Sequence, residues 1–162
     1  MSTPQDLTAL LTLRAAMQQR DAVAAEAARL AGEETQLAEA IEVARQEQTI
    51  AFQEAEAQAV LFEDARAALE EPTEEARRHW TAAQTAHDTA AREARLVAEG
   101  LTRMEQQLAD IQHCRGEIRR EQAASHEAFE KAARAVRIFT EEDLNKALEI
   151  AKQTKTGSGI PD

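Results

Sequence analysis

Tyrosine is absent from this 162-residue chain, and Trp80 and four phenylalanines are its only aromatics. Five glycines and three prolines leave few places for turns, and a sheet or barrel needs many. The single cysteine, Cys114, cannot form an internal disulfide. No stretch approaches about 18 consecutive apolar residues, the length that spans a bilayer. The start, Met1-Ser2-Thr3-Pro4-Gln5-Asp6, lacks the basic-then-apolar order of a secretory leader. Positive charge is also scarce: a net charge of -11 and a pI near 4.9 provide no basic stripe to displace counterions from phosphates, which excludes a nucleic-acid reader. The expectation is a cytoplasmic protein, with a peripheral position at the inner face of the membrane left open. A ratio of 15 Arg to 4 Lys points to a GC-rich bacterial coding bias.

What the chain does contain is alanine. Of its 43 % hydrophobic residues, 36 are Ala, and only 34 are larger apolar or sulfur-bearing side chains. A chain rich in Ala, Glu, Arg, Leu and Gln that buries so little bulk is an extended helical assembly. Prolines stand only at 4, 72 and 161, so nothing obliges a helix to stop between them. Pro72 lies in Leu69-Glu70-Glu71-Pro72-Thr73-Glu74-Glu75, where proline at a first helical position with acids behind it reads as a helix start. The spacing predicts an all-α fold: a long antiparallel two-helix coiled-coil hairpin over 1–139. Its first helix covers about 5–70, its corner 71–73 and its second helix about 73–139. A short helix follows at 140–152, capped by Thr140 with acids behind it, and then a disordered tail over 153–162.

The second helix has the stronger pattern. Steps of three and four from Trp80 reach Phe139 through His87, Ala90, Ala94, Leu101, Met104, Leu108, Ser125, Phe129 and Val136, a coiled-coil seam of period 3.5. The first helix is less regular. Leu7, Leu10, Leu13, Met17, Val23, Leu30, Leu37, Ile41, Phe52, Phe62 and Leu69 suggest a seam whose phase slips near Arg20 and again between Gln48 and Phe52. Facing residues of an antiparallel pair share a constant sum of residue numbers. A sum near 145 to 146 matches Leu10 with Val136, Leu37 with Leu108, Ile41 with Met104 and Phe62 with Ala83. Gln48 against Val97 and Glu34 against Ile111 are poor matches. Each arm of ~65 residues would run roughly 100 Å. The first arm, residues 1–72, holds 14 acids against 5 arginines, while residues 73–139 balance at 11 and 11, which favours pairing the two arms over pairing the first with itself.

Candidate chemistry is sparse. Asp110 and His113 have the i, i+3 spacing of carboxylate-bridged metal sites, but in a single copy. No histidine among His79, His87, His113 and His126 stands four residues from another on one face, and Cys114 reads as a small packing residue. The reading is non-enzymatic, with no cofactor and no metal. Candidate sites lie instead at the ends of the hairpin, as protein-binding surfaces. At the termini end these are Leu7, Leu10, Leu11, Arg14, Ile138 and Phe139. Leu11 and Ile138 are surplus to a two-helix seam, and either receive the short C-terminal helix or dock on another protein. At the corner end they are Leu61, Phe62, Arg77, Arg78 and Trp80. Val60, Leu61 and Phe62 cannot all face one partner helix, whereas Phe62 and Trp80 can plug the end of the seam.

The start Leu7-Thr8-Ala9-Leu10-Leu11-Thr12-Leu13-Arg14, running into Gln18-Gln19-Arg20-Asp21-Ala22 and an Ala/Arg/Glu-rich helix, resembles the opening of the central-stalk proteins of type III secretion, flagellar and injectisome alike. The resemblance implies a single antiparallel coiled-coil hairpin without chemistry of its own. Such a stalk sits in the pore of a hexameric secretion ATPase, links it to a component of the membrane export gate and escorts chaperones. Carried onto this chain, it implies that Leu7 to Arg20 with Phe129 to Phe139 enter the ring, while the Pro72 corner or the neighbouring shaft faces another partner. The acidic charge and the segment after Thr140 depart from that pattern. The competing reading is an oligomeric coiled-coil scaffold, phage-encoded or membrane-associated, whose seam closes between chains. A four-helix bundle of two hairpins holding a metal or small molecule is a third, disfavoured because His87 is the only inward histidine. Self-closure favours a monomer over a dimer, although an alanine-rich seam keeps a dimer open.

Overall fold

The computed structural model describes residues 4–71 and 73–136, together with Asn145 and Glu149, both helical. Two helices, α1 (Pro4–Ala67) and α2 (Glu74–Ala135), pack together as an all-α helical hairpin, with one 3-10 turn (Ala68–Glu70) after α1 and no strand among the described residues. Arg137 to Phe139, most of the expected helix over 140–152 and the tail over 153–162 lie outside the described residues.

Pro72 was expected to open the second helix. That role belongs to Thr73, whose Oγ1 accepts from the Ala76 amide at 3.1 Å while its carbonyl accepts from Arg77 N–H at 3.1 Å. A threonine hydroxyl satisfies one of the orphan amides of a first turn, which proline has no side-chain acceptor to do. Glu74 and Glu75 then occupy the positive end of the helix dipole. Before the cap, the Thr73 amide donates to the Glu71 carbonyl at 2.7 Å.

The chain divides into two compact units, Met1–Ala31 with Cys114–Asp162, and Gly32–His113. In the first, Leu13, Met17, Ala132 and Val136 form a buried cluster against which Ala9, Ala16, Phe129 and Ala133 pack. The Arg20 guanidinium lies 4.4 Å from the centroid of the Phe129 ring, so a charge in the seam rests on an aromatic face. Ser125 is buried and donates to the Gln122 carbonyl at 3.0 Å. In the second unit, Ile41, Ala44 and Leu101 form the cluster, flanked by Leu37, Met104 and Leu108. Among the bonds that cross between its helices are Arg45 to Glu105 at 3.0 Å and Gln112 Nε2 donating to Glu34 at 3.2 Å.

Within both units the register is the same. Ala9 with Val136, Leu13 with Ala132, Ala16 with Phe129, Leu37 with Leu108, Ile41 with Met104 and Ala44 with Leu101 all have numbers adding to 145. Every described position of the seam expected on the second helix, Trp80 through Val136, is buried or half-buried. The first helix corrects the sequence reading. An unbroken line of covered positions runs 9, 13, 16, 20, 23, 27, 30, 34, 37, 41, 44, 48, 51, 55, 58, 62, 65 and 69, alternating steps of four and three, with Met17 buried beside it as the sequence pattern expected. The expected stutters are absent because Arg20, Glu34, Gln48 and Gln58 hold seam positions themselves. Leu7, Leu10 and Phe52 do not; all three are exposed, and Ala9 rather than Leu10 takes the place beside Val136. Hydrophobicity alone misplaced the phase, since long polar side chains can cover a seam with their aliphatic stems. No buried side-chain nitrogen or oxygen among the described residues lacks a hydrogen-bond partner.

Alanine sets the spacing. Ala90 and Ala94 are buried and Ala51 and Ala55 half-buried, at positions matched by the same register. Small side chains there permit close backbone approach but contribute little apolar area each, so the larger residues carry most of the hydrophobic stabilisation.

Two predictions follow the corrected phase. Ile41 is 3 % exposed and Phe52 48 %; Ile41→Ala costs about 2–4 kcal/mol in urea unfolding, whereas Phe52→Ala stays within about 0.5 kcal/mol. Equal costs would restore Phe52 to the seam. A Cβ added at Gly32, Gly100 or Gly116 meets no atom within 4 Å, so each Gly→Ala change raises stability by about 0.5–1 kcal/mol, read as a shift in the denaturant midpoint.

Candidate functional site

The leucines displaced from the seam define the first surface. Leu7, Leu10, Leu11 and Arg14 stand at i, i+3, i+4 and i+7, so they form one stripe along the first turns of α1. Leu7 is 59 %, Leu10 42 % and Leu11 58 % exposed, while Arg14 is half-buried. The helix end is therefore apolar over a wider arc than a two-helix seam covers: Ala9 and Leu13 face α2, and the leucines face outward. Ile138 and Phe139, expected to join this surface, lie outside the described residues.

At the corner the candidate residues separate into two groups. Phe62 is half-buried and stacks on His87, with ring centroids 5.2 Å apart and planes 20° apart; its centroid is 6.3 Å from that of Trp80. These three rings fill the end of the seam. Leu61, Arg77 and Arg78 are exposed, and Arg78 pairs with Glu74. Val60 and Leu61 are the members of the Val60-Leu61-Phe62 run that have no place against α2.

Beside the corner lies an open groove of about 870 Å³, lined by Gln58 from α1 and by Arg77, Thr81, Ala82, Thr85 and Ala86 from α2, among others. Its threonines do not offer their hydroxyl protons to a ligand. Thr81 donates to the Arg77 carbonyl at 2.9 Å, Thr85 to Thr81 at 3.0 Å and Thr89 to Thr85 at 2.8 Å. The groove thus presents threonine methyls and alanines, ringed by the charges of Glu54, Glu74, Glu93, Arg77 and Arg78.

The chemistry-bearing side chains are dispersed. Asp110 accepts from Gln106 at 3.1 Å, and neither Asp110 nor His113 is covered. His87 Nδ1 is 3.4 Å from Asp88, His126 Nε2 is 3.5 Å from Glu130, and Cys114 is exposed. Among the described residues no three His, Cys, Asp or Glu side chains gather where a metal ion could be held. One carboxylate is clearly perturbed: two hydrogen bonds from Arg29, at 2.8 and 2.6 Å, hold Glu26 below the usual carboxylate range. No helix among the described residues is long and apolar enough to cross a membrane.

Sequence reasoning missed the exposed aliphatics at mid-helix, Val43 and Ile50 on α1 and Leu96 on α2. The signal was present in the phase. Once the α1 seam runs unbroken through 41, 44, 48 and 51, Val43 and Ile50 fall two positions past it, on the outward face.

Phe62 and Leu61 give a direct contrast. Phe62→Ala costs about 2–4 kcal/mol, and it changes the near-ultraviolet circular dichroism of Trp80, the chain's one tryptophan. Leu61→Ala changes neither. An unaltered Trp80 signal in Phe62→Ala would remove the three-ring plug.

No family model, curated protein or solved structure matches this chain.

Proposed function

We propose that this chain is a non-enzymatic stalk or adaptor of a type III secretion apparatus, which couples a hexameric ATPase to the export gate and receives chaperones. The observation that carries the reading is the exposed stripe Leu7, Leu10 and Leu11 beside a seam that closes within one chain. An apolar stripe on a helix already paired along another face is a surface for a further protein partner. The Leu/Arg-rich opening that resembles the central stalks contains that same stripe. Self-closure also favours this reading over an oligomeric scaffold. Leu13, Met17 and Ile41 are covered by the chain's own α2, so no second chain is needed to bury the seam.

In this reading the paired termini enter the ATPase ring, with Leu7, Leu10, Leu11 and Arg14 as contacts, while Leu61, Arg77 and Arg78 remain available to a partner at the corner. Nothing is asked of the histidines or of Cys114. The work is mechanical: a helix pair transmits position between two partners without forming or breaking bonds.

Light scattering is expected to give a monomer near 17.8 kDa over a wide concentration range. A dimer independent of concentration would move the assignment to the scaffold. In co-sedimentation with the ATPase hexamer of a type III secretion system, the native chain is expected to bind. Leu10→Asp with Leu11→Asp is expected to lose binding by at least about tenfold while keeping its thermal melt. Binding that is unchanged in the variant would sink the role given to the stripe, and no binding by the native chain would sink the secretion assignment.

A further inference from the structure

Among the described residues, eight of the nine exposed large apolar side chains lie on α1, and α2 contributes Leu96. The α1 helix is also the more apolar of the two, and its apolar side chains are the less one-sided. Three of these residues fall into a second pattern. Val43, Gln46, Ile50, Gln53, Ala57 and Val60 alternate steps of three and four, and each stands two residues past a seam position, at 41, 44, 48, 51, 55 and 58. All six are exposed; Val43 is 55 %, Ile50 66 % and Val60 62 % accessible. The outward face of a two-helix pair is ordinarily polar, so a 3.5-residue repeat there with apolar side chains at four of its six positions has the spacing of a second seam.

Charge identifies the kind of helix. The positions flanking this outer line are Glu42, Glu47, Thr49, Glu54, Glu56, Leu61 and Glu63, five acids and no base. Little among the described residues neutralises them. Glu42 and Glu63 have arginine neighbours only at 3.9 and 4.0 Å, and Glu54 accepts from Gln58 at 2.9 Å. Glu47 and Glu56 have no ion-pair partner among the described residues. Arg45, the arginine beside Glu42, makes its shorter ion pair with Glu105 on α2 at 3.0 Å. Flanking charges of a coiled-coil seam select the partner, and a second α1 brought to this line would set acid against acid.

We propose that the outer face of α1 from Val43 to Val60 is a docking seam for an amphipathic helix of another protein, with a 3.5-residue apolar repeat flanked by lysine or arginine. This surface lies apart from the Leu7–Leu11 stripe and goes beyond the stalk reading without depending on it. Its two glutamines keep the line soluble when open, so docking there is reversible.

The test uses two fluorescent three-heptad peptides with the same leucine and isoleucine repeat, one flanked by lysine and the other by glutamate. Anisotropy is measured against the full chain and against the Ile50→Gln, Val60→Gln double variant, which keeps every charge. The lysine peptide is expected to bind saturably, and the double variant to weaken it by at least about tenfold at an unchanged thermal melt. The glutamate peptide is expected not to bind. Equal binding of the lysine peptide to the variant would reduce the effect to bulk acidity and overturn the seam. Equal binding of the glutamate peptide, or no binding of either, would also overturn it. A self-associated native chain that the double variant converts to monomer would assign the face to a second copy instead.

Discussion

Everything in this molecule depends on one fixed register between two helices. Positions whose numbers add to 145 face each other in both units, from Ala9 and Val136 to Ala44 and Leu101. Because many of these positions are alanine, the backbones can approach closely, and each layer contributes little on its own. Stability is therefore spread over many thin layers, with Leu13, Met17, Val23, Leu30, Ile41 and Leu101 as the heavier ones. Polar side chains in the seam carry the specificity that bulk cannot. Arg20 on the Phe129 ring and buried Ser125 mark one level, and Glu34, half-buried and bonded across the pair by exposed Gln112, marks another. A shift by one heptad would part these pairs and leave charge against aliphatic surface.

That allocation explains how much was legible in advance. The α2 seam could be read residue by residue because its apolar positions recur with few interruptions, and all of its described members are covered. The α1 seam was read with two false slips. Phe52 and Leu10 are more hydrophobic than Gln48 and Ala9, yet the latter are the covered residues. A single-helix pattern ranks side chains by transfer free energy, whereas the hairpin ranks them by phase, and phase belongs to the pair. Gln48 against Val97 and Glu34 against Ile111, poor matches as chemistry, are sound as geometry. The helix start was similarly misassigned by one residue type: proline announced a boundary, and the neighbouring threonine made the cap.

The candidate surfaces were legible only in part. The termini stripe and the corner were visible as excess leucine and aromatic content, but their division into seam and surface was not. Phe62 and Trp80 turn into the pair, while Leu61, Leu7 and Leu11 turn out of it. The outer line through Val43, Ile50 and Val60 could not be recognised until the inner phase was known. A residue two positions from a misplaced seam has no assigned face. With both phases in hand, α1 carries a covered line on one side and an exposed apolar line on the other, whereas the exposed large apolar residues described on α2 come down to Leu96.

The register also gives folding a direction. Ala65 and Trp80 are separated by a short stretch of chain, and Ala9 and Val136 by nearly all of it. Loop-closure entropy rises with that separation, but once a layer has closed, the next needs only a few more residues fixed on each arm. The thin layers beside the corner are thus the cheapest to close first, and every later layer inherits a short loop from the one before. In a chain built of such small increments, the capped corner at Thr73 is where the long-range problem becomes a local one.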